Sequence, residues 1–238
     1  MLSVSSGRGG RSSRPPYGYA VVDVEATGSS SHRHRVLELA VVLLGPDLDA
    51  QGEFSTLVDP QGPVGPTHIH GIEVHHLGGA PRFAGIAARL LTLLRGRVLV
   101  GHNVGCDRAF LAAEYARVGV PLPVVPELCT MRMAAAGSAY RLSPHGLSLR
   151  DCAAAVGVTD RHPHTALGDA RATAALFSYY AQGGETVETV DLGERLALAA
   201  AVEWPESLAL PEVTDALWKR RSNDSARRMV PNVRNGSA

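Results

Sequence analysis

Residues 19–28, YAVVDVEATG, run from strong strand formers into two carboxylates, Asp23 and Glu25, and stop at Thr27 and Gly28. Side chains two apart on a strand share a face, so Asp23 and Glu25 project together while Val24 turns into the opposite layer. Two carboxylates at about 4 Å repel by roughly 4 kcal/mol at an effective dielectric of 20. Either this strand end surfaces into solvent with its acids exposed, or something positive sits between them.

Composition bounds the answer. The chain has 238 residues, 45% of them hydrophobic, enough for one domain with tails, and a domain of about 150–200 residues buries roughly 70% of its unfolded surface without covalent staples. Cys106, Cys129 and Cys152 are too few and too dispersed for a C-x-x-C metal site or a disulfide framework, which points to a reducing compartment and a cytoplasmic protein. No run of about 18 apolar residues predicts a membrane span, and residues 1–18 lack the apolar centre of a secretory signal. The formal net charge is zero. It gives no global support for nucleic-acid binding, and such a partner would need a local basic patch or bound cations.

Strands are expected at residues 17–24, 36–44 (VLELAVVLL) and 52–58 (GEFSTLV), separated by the polar loops SSSHRHR and GPDLDAQ, as in an antiparallel meander. The period then changes. Phe83, Ile86, Leu90, Leu91 and Leu94 fall at helical spacing over residues 82–95. RVLVGHN reads as a short buried strand, and Asp107 as the start of a helix closed by Gly119. Residues 146–157 and 164–182 read as two more helices. A meander followed by alternating helices and strands makes an α/β fold, a mixed sheet with helices packed on it. The expected organisation is a disordered arm over residues 1–16, a domain over 17–184 ending near QGGE, and a C-terminal tail over 185–238. In that tail DLGERLALAAAVE forms a helix and residues 223–238 are disordered.

Two further stretches decide between the readings of DVEATG. GHNVGCDRAFL places Asp107 directly after a short buried strand, at the sheet edge where α/β sites are built. HPHTALGDARATAALF places Asp169 on the last long helix with His164 five residues before it. An aspartate near a helix start is ordinarily a cap or dipole partner, but the three stretches in this order resemble the three motifs of the DnaQ-like (DEDDh) 3'→5' exonucleases, and within that family the ε-type proofreading subunits of DNA polymerase III. The resemblance covers roughly residues 17–182. THIHGI (67–72), CTMRMA (129–134) and HGLSLRDCAAAVGV (145–158) are similar to secondary features of the family. Cys106 departs from it, standing where the family carries an aromatic residue, and Thr165 stands where a sister class carries a catalytic tyrosine.

The resemblance implies an RNase H-like fold and a set of roles. Asp23, Glu25, Asp107 and Asp169 hold two divalent cations, Mg²⁺ or Mn²⁺ by their hard oxygen donors. His164 is the general base, and Thr27 and Gly28 lie beside the terminal nucleotide. The activity implied is hydrolysis of single-stranded DNA or RNA from the 3' end to nucleoside 5'-monophosphates, in proofreading or repair, with a DNA polymerase subunit or sliding clamp as a further partner. A second reading is an interaction module that works through its C-terminal tail, where PESLALPEV (205–213) loosely resembles a clamp-binding peptide.

Other conspicuous residues have plainer readings. His68, His70, His75 and His76 crowd one loop, but no second cluster accompanies them, so they are read as part of the H-G-I feature and not as a zinc site. Arg33, His34 and Arg35 read as a solvated polar loop that could add positive charge. His102 is expected to make a structural hydrogen bond, and Asp151 and Asp160 to be exposed charges.

Overall fold

The computed structural model describes residues 17–136, 147–158, 165–183 and 191–205. Five strands form one sheet in the order β3-β2-β1-β4-β5: β1 (Tyr19–Ala26), β2 (Val36–Leu44), β3 (Ala50–Leu57), β4 (Val98–Gly101) and β5 (Glu127–Cys129). The first three pair antiparallel, as the meander expected from sequence, and β4 and β5 then add parallel to β1. The helices are α1 (Thr67–His70), α2 (Phe83–Leu94), α3 (Val104–Arg117), α4 (Thr130–Ala136), α5 (Leu149–Ala155), α6 (Ala166–Ala181) and α7 (Leu192–Ala201), with a 3-10 turn at Val74–Leu77.

Alternation along the strands builds two cores. Ala20, Val22, Leu39 and Val41 pack under α2 and α3, while Tyr19, Val21, Ala40, Val42, Val98 and Val100 pack under α6. All nine residues of β2 are buried, which fits a strand covered on both sides. Helix α6 meets the sheet through Ala166, Ala170 and Ala174, side chains short enough to let the two backbones approach. Phe177 at its far end stacks edge-on against Tyr19, 4.8 Å between ring centres.

Helix α3 begins three residues earlier than the sequence reading placed it. Asn103 takes a left-handed backbone, φ 66°, which turns the chain from β4 straight into the helix, so Asp107 sits within the first turn instead of opening it. At the other end Gly119, φ +77°, supplies the left-handed exit that the sequence reading expected.

The segments expected to be disordered at the two ends, residues 1–16 and 223–238, lie outside the described residues, as do 184–190. Helix α7 packs Leu196 and Ala199 into the core under α6, and Arg95 Nη2 donates to the Pro205 carbonyl at 2.8 Å. Leu196 is 7% exposed and Leu198, two residues on, is 49% exposed. Leu196→Ala should therefore destabilise the protein by about 2–4 kcal/mol, whereas Leu198→Ala should stay within about 0.5 kcal/mol. Denaturant titration of both variants checks the docking of α7, and equal effects would contradict it.

Candidate active site

The carboxylates of β1 stand on the face covered by α6. In the β1–β2 register Asp23 lies opposite Ala40 and Glu25 opposite Glu38, so the side chain facing Asp23 carries nothing past Cβ. Asp169, on the first turn of α6, fills the space from above. One carboxylate oxygen each from Asp23, Glu25 and Asp169 lies within 4.8 Å of the others. Thr165, at the position of the sister class's tyrosine, is the N-cap of α6, and its Oγ1 accepts from the Gly168 N–H at 3.0 Å.

Asp107 arrives from the opposite layer. The parallel ladder between β1 and β4 ends at Val21–Val100. Three residues further along β1, the Val24 N–H donates to Asp107 Oδ1 at 3.2 Å. The approach is tight, because a Cβ on Gly101 would come within 3.1 Å of Val104 Cα and 3.2 Å of Asp107 Oδ2. Asp107, 7% exposed, stands beside the three-carboxylate group and not inside it.

The electrostatics follow from this crowding. Burial first, then the charges of Asp107, Asp169, Glu25 and Glu38, hold the Asp23 carboxyl well above the usual carboxylate range. Burial likewise pushes Asp107 up to about 7, against the opposing hydrogen bonds from the Val24 N–H and its own N–H, with Glu25 adding to the rise. Three carboxylates that close, of hard oxygen donors, fit a divalent cation of the magnesium or manganese type.

Beside the acids, the chain turns at Thr27 and Gly28 and returns at Arg35. Thr27 N–H donates to the Arg35 carbonyl at 2.9 Å, and Arg35 N–H to Thr27 Oγ1 at 3.0 Å. The His34 ring lies over Gly28, where a Cβ would come within 2.6 Å of it, and a Cβ on Gly65 would meet the Thr27 carbonyl at 2.1 Å. Arg35 is not a solvated loop residue as the sequence reading had it. Its guanidinium grips Glu114 of α3 through Nε at 2.7 Å and Nη2 at 2.9 Å. Glu114, 1% exposed, also accepts from the Val36 N–H and from Arg117, and Arg117 Nη2 donates to the Ser31 carbonyl at 2.7 Å. Seven residues separate Glu114 from Asp107, two turns of one helix, so α3 positions both an acid and the Thr27 turn.

Several sequence readings meet the structure directly. His102 has the structural role expected of it: Nε2 donates to the Leu147 carbonyl at 2.7 Å, which leaves Nδ1 to accept from Thr130 Oγ1 at 2.9 Å. His70 is buried and engaged at both nitrogens, with the Val64 carbonyl and the Ile72 N–H each at 3.0 Å, so it braces the H-G-I loop. Cys106, which departs from the family's aromatic residue, is exposed and so is not part of the core. Asp151 pairs with Ser148 at the start of α5, 2.7 Å. His164, Asp160 and residues 206–213 lie outside the described residues. Glu38 and Glu114 are the site residues that sequence reasoning passed over, while Arg35 was read as a loop cation. The available signal was a lone glutamate inside the otherwise apolar VLELAVVLL.

The family model described as Exonuclease (RNase_T) matches residues 20–177. A bifunctional exonuclease/endonuclease protein of Mycobacterium tuberculosis is 33% identical over 165 residues, 65% of this chain and 25% of that protein. A DNA polymerase III of PolC type from Streptococcus agalactiae is 29% identical over 185 residues, 74% of this chain and 12% of the polymerase. The chain thus spans a quarter or less of these relatives. Among solved structures, the nuclease domain of 3'hExo, a DEDDh family member bound to rAMP, aligns with a TM-score of 0.59 at 17% identity, over 71% of this chain and 94% of that one. The zinc-bound complex of E. coli exonuclease I with single-stranded DNA aligns with a TM-score of 0.56 at 18% identity, over 67% of this chain and 39% of that one. The sheet and helices described above therefore form the RNase H-like fold of these nucleases. No helix among the described residues is long and apolar enough to cross a membrane.

The buried acids give the metal-free protein a pH dependence of defined sign. Unfolded, Asp107 titrates near about 3.9. Folded, it holds its proton up to about 7, so the stability this confers is complete below about pH 4 and is lost as pH rises through about 7. His102, whose pKa burial lowers, acts in the opposite sense but only below its ordinary value of about 6.5. Between about pH 6.5 and 7.5 Asp107 gives a falling slope that His102 does not oppose. In EDTA the melting temperature should fall across that window, and Mn²⁺ should flatten the fall; a rising or level profile in EDTA would contradict the arrangement.

Proposed function

Because the chain belongs to the RNase T-type exonuclease family, we propose that it hydrolyses single-stranded DNA or RNA from the 3' end and releases nucleoside 5'-monophosphates. The observation that carries this reading is the meeting of Asp23, Glu25 and Asp169 within 4.8 Å, with Asp107 fixed alongside by the Val24 N–H. Two divalent cations bound there would activate a water and stabilise the departing 3' oxygen in an in-line displacement at phosphorus.

The chain's own residues do the rest. Asp23, Glu25 and Asp169 supply the negative charge that holds cations against a net-neutral protein, and Asp107 completes the set from the other layer. The Thr27–Gly28 turn, pressed between Gly65 and His34, offers a rigid backbone edge for the terminal nucleotide. His164, just before the N-cap of the helix that carries Asp169, accepts the proton of the attacking water, the general-base role an imidazole commonly fills. The similarity to polymerase III proteins of PolC type supports proofreading alongside a polymerase as the setting.

Digestion of matched single-stranded DNA and RNA oligonucleotides labelled at the 5' end tests the reading. The expected product is a ladder shortening from the 3' end, dependent on Mg²⁺ or Mn²⁺, and the two rates identify the preferred sugar. Asp23→Asn should abolish the ladder while the protein stays folded. His164→Ala should lower turnover by about 10²–10⁴-fold with Mn²⁺ binding retained. Cleavage that persists in EDTA, or a fully active Asp23→Asn, would overturn the assignment.

A further inference from the structure

The strongest feature left over is Glu38. It is 3% exposed on a strand whose other residues are apolar and buried. It faces α6, directly opposite Glu25, and its charge is among those that act on Asp23. A carboxylate in that place adds repulsion to a site already crowded with acids, and burying it costs free energy unless it is hydrogen-bonded. Its Oε2 accepts the Ala166 N–H at 3.1 Å, a contact across 128 residues of sequence. That N–H is the first of α6 and has no partner within the helix, so the bond answers a donor the helix cannot satisfy itself.

The consequence lies in where α6 sits. Its sheet-facing surface near the site is mostly alanine, at Ala166, Ala170 and Ala174, with Leu167 in the same cluster. Short side chains on a strand surface interlock weakly along the helix axis, so packing sets the height of the helix above the sheet better than its axial position. Beyond the Phe177–Tyr19 stack at the far end, two polar contacts among the described residues resist sliding: the Glu38 bond at the N-terminus and the bidentate pair between Arg171 and Glu53 of β3. Asp169 is three residues from Ala166, about 4.5 Å along the axis, and the displacement of one end is carried to it directly.

We propose that Glu38 is a positioning residue: by hydrogen-bonding the first N–H of α6 it sets the axial register of that helix and thereby brings Asp169 within reach of Asp23 and Glu25. The proposal rests on the metal-binding reading of those three acids. It separates reach from charge, since any acceptor of the right length serves, whereas a carboxylate one methylene shorter does not.

Glu38→Gln keeps the length and an oxygen acceptor and loses the charge. Glu38→Asp keeps the charge and withdraws the acceptor from Ala166. Each is compared with the unaltered protein for Mn²⁺ affinity by calorimetry, for kcat and KM on a single-stranded oligonucleotide, and for melting temperature. Groups that orient metal ligands from behind typically contribute about 10–100-fold in affinity or activity. The expected result is that Glu38→Asp weakens Mn²⁺ binding and lowers kcat by about 10-fold or more with KM little changed, and that Glu38→Gln stays within about 3-fold of the unaltered protein. The reverse order would show that charge matters and not position, and equal losses in both would overturn reach as the deciding property. Variants that melt lower yet bind Mn²⁺ and turn over normally would reduce Glu38 to a stabilising cap. If the unaltered protein itself fails to bind Mn²⁺, the metal reading falls and the positioning role with it, an outcome distinct from binding that survives Glu38→Asp.

Discussion

Five carboxylates, Asp23, Glu25, Glu38, Asp107 and Asp169, crowd the end of one sheet, and the structure around them is arranged to hold them against their mutual repulsion. Two are held by backbone donors: the Val24 N–H for Asp107 and the Ala166 N–H for Glu38. The second of these is also the positive end of a helix dipole, a favourable place for negative charge. The hydrophobic layers above and below the sheet fix the backbones that carry these donors. In a domain whose net stability is about 5–15 kcal/mol, such a cluster is a sizeable cost, and a divalent cation among its oxygens would relieve it.

The acids come from both sides of the sheet. β1 carries two on the face under α6, and α6 adds a third from above. α3, packed on the other face, contributes Asp107 around the end of β4. The same helix holds Arg35 through Glu114 and so holds the Thr27–Gly28 turn. Acid placement and the Thr27–Gly28 turn are thus tied to one rigid element, and a shift of α3 would move both together.

Much of this was legible in the sequence because it is local. The period of two in YAVVDVEATG gives β1 and the shared face of Asp23 and Glu25, and the structure has both. The change of period after residue 60 and Gly119 as a helix exit follow from similarly short patterns. The contacts that sequence reading missed span long separations. Glu38 and Ala166 are 128 residues apart, and Arg35 and Glu114 are 79 apart. Neither periodicity nor motif spacing reports a pairing of that kind, so Arg35 resembled a loop cation and Glu38 disappeared into an apolar run. The start of α3 was misplaced for a different reason: Asn103 adopts a left-handed backbone that an asparagine permits and does not announce.

The central claim is that Asp23, Glu25 and Asp169 converge in order to hold divalent cations. Anomalous diffraction from crystals of the full chain grown with Mn²⁺ tests it most directly. The account predicts manganese peaks in contact with carboxylate oxygens of Asp23, Glu25 and Asp169, with Asp107 within coordinating distance of the same site. An ordered carboxylate cluster with no manganese among its oxygens, or manganese bound only elsewhere on the chain, would contradict it.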